Sequence, residues 1–226
     1  MLYKVCKYDI MSQYKQGFYL VYGILSFFYL LILFNIPSVV RMEVTAYFIL
    51  TDTSVMGLIF VGALVLLEKQ QNILQSLFVT PLTLSTYLWA KVISLTVIAI
   101  LTSSAIGFIP GGMLNNPATT LVSVILSSMF FTFLGLGISA RVHSLNGYIA
   151  GIMIGGVVLS SPVALYFSFP EWSVIFPSNA AFDLLIVKPE VQTIRGIIAD
   201  VAVLICWNIL GFLYAKKQFM KHVIQK

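Results

Sequence analysis

The sequence predicts an all-α, polytopic membrane protein with six transmembrane helices, and three observations predict it. Hydrophobic residues make up 59% of the 226 residues and charged ones only 9%, with a mean hydropathy of +0.98. A soluble domain of that composition would precipitate. Six apolar stretches, at 17–36, 46–67, 87–109, 119–140, 147–169 and 197–214, reach the roughly 20 residues that cross about 30 Å of hydrocarbon. These runs are continuous rather than alternating, which excludes an outer-membrane barrel.

Taken in order, residues 1–16 are polar and lack a small-residue cleavage site, so they are not a secretory signal. Leu2, Tyr3, Cys6, Ile10 and Tyr14 share an arc of about 120°, with Lys4, Tyr8, Ser12, Lys15 and Gln16 on the other side. That pattern predicts an amphipathic helix lying in the membrane interface. The first span is aromatic and uncharged. The second contains Thr51, Asp52, Thr53 and Ser54, and two readings of Asp52 stay open. It can cap a helix running inward from Thr53, near the outer interface and about 24 Å of helix rise from Glu68. Alternatively it lines a cavity, since an ionisable group at membrane depth suggests function.

The third and fourth spans are joined by "PGGMLNNPA", plain turn chemistry, and the fourth and fifth by the short "RVHSLN". The fifth opens with Gly147, Gly151 and Gly155, four apart on one face. Such a stripe lets another backbone approach closely, either within the chain or from a second copy. Residues 170–194 are partly apolar and broken by Pro170, Pro177 and Pro189. They predict an outer re-entrant hairpin of short helices before the last span, with Ser178 capping one and Trp172 at the interface.

Charge gives the orientation. With six spans and both termini in the cytoplasm, the inner segments hold Lys4, Lys7, Lys15, Lys69, Lys91, Arg141, Lys216, Lys217, Lys221 and Lys226, against Arg41, Lys188 and Arg195 outside. The net charge of +5 is therefore a topology and lipid signal, not one for nucleic acid. Cys6 and Cys206 form no disulfide framework, and His143 and His222 fall in no metal-ligand spacing in the sequence. No catalytic constellation stands at workable depth, so a membrane-embedded enzyme is disfavoured.

The segment 68–82, "EKQQNILQSLFVTPL", lies between two spans where a short turn would serve. Good helix formers fill its first part, and Pro81 stops the helix after Thr80. Ile73, Leu74, Leu77 and Phe78 make an apolar stripe flanked by Lys69, Gln70, Gln71 and Gln75. One lysine among many amides favours a protein groove over a lipid surface.

The stretch "LLEKQQNILQSLFVTPLTLSTYLWAKVIS" resembles the inner loop of type 2 ATP-binding-cassette (ABC-2) exporter permeases, with Glu68, Thr80, Pro81 and Lys91 at the family's positions. The architecture of the whole chain, 1–226, resembles that family as a single permease domain. The part from "DTSVMGLIFVGALVLLEKQQ" also resembles small permeases of the fluoroquinolone-exporter kind. Unlike larger members, the chain has no large extracellular domain, which argues against handing cargo to an outer partner. The resemblance implies that the chain lies in the plasma membrane with a coupling helix at 68–82, whose Glu68, Lys69, Gln71, Leu74, Gln75, Phe78, Thr80 and Pro81 dock on a separate ABC ATPase subunit. ATP and Mg would bind that partner, because this chain has no G-x-x-x-x-G-K-[ST] pattern and needs no cofactor of its own. A second permease copy or a paralogue would complete a pathway for a hydrophobic or amphipathic substrate. The competing readings are an ion-driven secondary transporter, disfavoured by charge-poor mid-membrane regions, and an ATPase-associated sensor or immunity subunit.

Overall fold

The computed structural model describes residues 2–74, 81–107, 116–160, 175–186 and 194–224. They are helical, with no strand among them: α1 (Leu2–Lys15), α2 (Phe18–Asn35), α3 (Ser38–Gln70), α4 (Leu84–Gly107), α5 (Pro117–Arg141), α6 (Leu145–Ser160), α7 (Pro177–Leu185) and α8 (Ile194–Ile224). Five of these, α2, α3, α4, α5 and α8, are long and apolar enough to cross a membrane. The chain is thus a multi-pass membrane protein. The stretch expected to form the fifth span is helical as far as Ser160, and its remainder lies outside the described residues.

Local chemistry sets the boundaries. Gly17 adopts φ 79°, a left-handed conformation that suits glycine, and lets the chain turn from α1 into α2. Pro37 precedes α3, and Arg41 folds back so that Nη2 donates to the Ile36 carbonyl at 2.8 Å. Thr83 accepts the Thr86 N–H at the start of α4. Asn116 caps α5, accepting the Ala118 N–H at 3.1 Å, with Pro117 at the first helical position. Helix α7 begins at Pro177 with Phe176 in the cap position and no side-chain cap bond, so Ser178 is not the cap expected from the sequence.

The second span departs most from expectation. It starts at Ser38 and continues as one 33-residue helix to Gln70, with a single π turn at Asp52–Met56. Asp52 is therefore no N-cap and does not mark an outer boundary. It sits near the middle of α3, about 21 Å of rise from Ser38 and about 27 Å from Gln70.

Helix α5 is the centre of the bundle and packs against α3, α4, α7 and α8. Its buried hydroxyl residues Ser123, Ser127, Ser128 and Thr132 keep the contacts small. Ser123 Oγ donates to the Ala181 carbonyl of α7 at 2.7 Å. Two apolar clusters fill the ends. One, around Leu64, Tyr87, Leu88 and Phe219, joins the basic end of the molecule; the other, around Ile49, Ile106, Phe182 and Leu204, fills the far end. Helix α8 runs past the expected end of the sixth span, so that Ala215 and Phe219 belong to the basic-end core.

Candidate functional site

At the basic end, three chain segments far apart in sequence meet on one ammonium group. Lys91 lies two turns into α4 and is 1% exposed. Its Nζ donates to Asp9 Oδ1 of α1 at 2.7 Å and pairs with Glu68 Oε1 near the end of α3. Tyr87, one turn before Lys91, donates its hydroxyl to Glu68 Oε2 at 2.6 Å. One turn after Asp9, Gln13 Nε2 donates to Ser94 Oγ at 2.9 Å. The i, i+4 spacing of Asp9 and Gln13 on α1 thus matches the i, i+3 spacing of Lys91 and Ser94 on α4.

The face of α1 that is buried is this polar one. Asp9 and Gln13 are its buried residues, while Leu2, Tyr3 and Tyr14 from the expected apolar arc are exposed on the chain. Periodicity located the arc but not the partner beside it. Two carboxylates share one ammonium, and Asp9 Oδ2 has no hydrogen-bond partner among the described residues. Burial pushes the Asp9 carboxyl above its ordinary range, Lys91 opposes that push, and the charge of Glu68 adds to it.

The expected coupling residues divide. Helix α3 ends at Gln70, and the chain turns at Gln71 and Asn72, where Asn72 takes φ 57°. Asparagine tolerates that left-handed geometry, as a residue ending a helix. The expected coupling helix, 68–82, thus opens with the last turn of the second span and a turn at Gln71 and Asn72, and its residues 75–80 lie outside the described residues. Glu68 belongs to the Lys91 cluster. Lys69 donates to the carbonyls of Ser139, Ala140 and Val142, at 2.7, 2.9 and 3.0 Å, and caps the C-terminus of α5. Leu74 is 3% exposed inside the chain's own core, so it does not stand ready for a partner's groove. Gln71 and Pro81 are exposed. Gln75, Phe78 and Thr80 lie outside the described residues.

A profile of the fluoroquinolones export permease protein family matches residues 1–226 of the chain. The chain belongs to that family. The fluoroquinolones export permease proteins of two Mycobacterium tuberculosis strains, CDC 1551 / Oshkosh and ATCC 25618 / H37Rv, are each 22% identical to it over 191 residues. The match covers 80% of this chain and 81% of each relative.

Two further groups of expected residues have places in this permease. The glycine stripe of α6 packs within the chain at its start. Gly147 donates its N–H to Ser144 Oγ, and Gly151 faces Ile138 of α5. Beside it Tyr148 is wedged between α3 and α5 in a slot left by Gly62 and Gly135, with its hydroxyl donating to the Leu58 carbonyl. Gly155 lies further along α6. Asp52 stands apart from the basic end. Its Oδ2 accepts from Thr102 Oγ1 of α4 at 2.5 Å, and Thr53 beside it contacts Ser127 of α5.

Proposed function

We propose that the chain is the transmembrane subunit of an ABC-2 exporter, driven by ATP hydrolysed on a separate ATPase subunit. In this reading the basic end faces the cytoplasm with both termini, in the plasma membrane. The ATPase docks on the surface around Gln71 and Pro81. The observation that carries the reading is the Lys91 cluster. It pins the ends of α3 and α4 that flank the 71–83 segment to each other and to α1. A push at Gln71 or Pro81 therefore moves three helices together. ATP and Mg belong to the partner. A second permease copy or a paralogue supplies the other half of the pathway, and the cargo is hydrophobic or amphipathic. The ATP cycle supplies the differential affinity between inward and outward openings that moves the cargo.

One observation favours a second reading, ion-driven secondary transport: the acid Asp52 is buried at mid-helix, where such transporters keep ionisable groups. Purifying the tagged chain from mild detergent separates the two. Co-purification of a P-loop ATPase, lost when Gln71 and Pro81 are replaced by Glu and Ala, is the expected result. Recovery of the folded chain with no ATPase would move the weight to ion-driven transport.

A further inference from the structure

Near the middle of α3 a carboxylate is buried with no ion pair among the described residues. Asp52 is 1% exposed. One oxygen accepts the Thr102 hydroxyl, and Oδ1 has no hydrogen-bond partner among the described residues. Leaving an anion so placed costs several kcal/mol in a low-dielectric interior. A single neutral hydroxyl offsets only part of that.

A second element completes the surroundings. Tyr29 of α2 stacks on Phe48 of α3, one turn before Asp52, and Tyr22 packs on Phe60, two turns after it. Ser26 falls between them, four residues after one and three before the other, so the three share one helix face. The Ser26 hydroxyl is buried and also lacks a hydrogen-bond partner. Two orphaned oxygens therefore lie on the packed stretch of α2 and α3, with a tyrosine ring to either side of Ser26 along α2. The backbone there is the π turn Asp52–Met56, a distortion that recurs at functional sites.

We infer that Asp52, with Tyr22, Ser26 and Tyr29, is the recognition point for a positively charged head on a lipophilic organic cation, such as a protonated amine. The carboxylate supplies the counter-charge, the rings supply cation–π attraction, and the serine hydroxyl accepts an N–H. One carboxylate among hydroxyls suits a monovalent organic cation; a divalent metal takes several oxygen ligands. Entry requires α2 to move aside. It is the least buried of the five long helices. Calling this ligand the cargo rests on the exporter reading; the binding itself does not.

The test uses the purified full chain alone, in lipid nanodiscs, with tritiated tetraphenylphosphonium and neutral triphenylphosphine oxide as paired probes. Asp52→Asn is isosteric and removes an unpaired charge, so its thermal midpoint should match or exceed that of the natural chain. It should weaken the cation about tenfold or more, which is about 1.4 kcal/mol, and leave the neutral probe within about twofold. Asp52→Glu should keep most of the affinity, and Tyr29→Leu should weaken the cation about threefold, within the range of a cation–π contact. Failure of the natural chain to bind the cation overturns the inference, as does equal binding by Asp52→Asn or parallel loss of both probes. No ATPase is present, so a chain that binds the cation but never co-purifies an ATPase keeps this site and loses the exporter reading.

Discussion

Lys91 is the residue on which the basic end depends. A buried ammonium between two carboxylates is costly to desolvate, and removing it leaves both anions facing each other in the core. Lys91→Met is therefore expected to cost about 3–5 kcal/mol, read as a large fall in the thermal midpoint in detergent. Adding Asp9→Asn and Glu68→Gln should recover most of the loss, because the triple variant has no orphaned charge. No recovery would mean that the packing of the lysine stem, not its charge, holds the site. Asp9 adds a pH dependence whose sign follows from its raised pKa. A carboxyl raised in the native state contributes stability that is complete below its ordinary value of 3.8 and is lost as pH climbs through the raised value. Thermal midpoints followed upward from about pH 4 should fall, and Asp9→Asn should flatten that fall; an unchanged slope would contradict it.

Among the elements, α3 is the one that organises the rest. Its far end touches α7, its π turn meets α4 and α5, and its last turns hold the Lys91 cluster and the α5 cap. It is also held by the Tyr148 wedge. A methyl group on Gly62 would fall within the Tyr148 ring, so Gly62→Ala is expected to cost about 1–3 kcal/mol by overpacking. A thermal midpoint unchanged by Gly62→Ala would mean that Tyr148 is not seated there. The starts of α4 and α5, at Leu84 and Pro117, fall within three residues of the apolar runs at 87–109 and 119–140, and the caps that set them, Thr83 and Asn116, act only on neighbouring amides. The start of α3 was not. Arg41 and Glu43 look like a polar connection, yet both ride in the first turns of the helix, where Arg41 bonds back to Ile36. That misreading shifted Asp52 from mid-helix to the membrane edge.

At the scale of the whole molecule, hydropathy and charge asymmetry give the class because each depends on composition over a window. The ring of Asp9, Glu68 and Lys91 depends instead on residues 82 and 23 positions from Lys91, and no local period reports such a meeting. Glu68 and Lys91 were visible only through the resemblance of their surroundings to exporter permeases, and Asp9 and Gln13 not at all. Leu74 reads as part of a docking stripe for the same reason: spacing shows which residues share a face, not what covers that face. In the function proposed above, ATP drives outward transport through this basic end. It is tested most directly by dye accumulation in inverted membrane vesicles from cells expressing the chain, with ATP outside and ionophores collapsing every ion gradient. Expected is accumulation of a hydrophobic dye that needs hydrolysable ATP, persists with the ionophores, and disappears when the exposed Gln71 and Pro81 are replaced by Glu and Ala. Accumulation driven by an imposed ion gradient without ATP, and abolished by the ionophores, would contradict it.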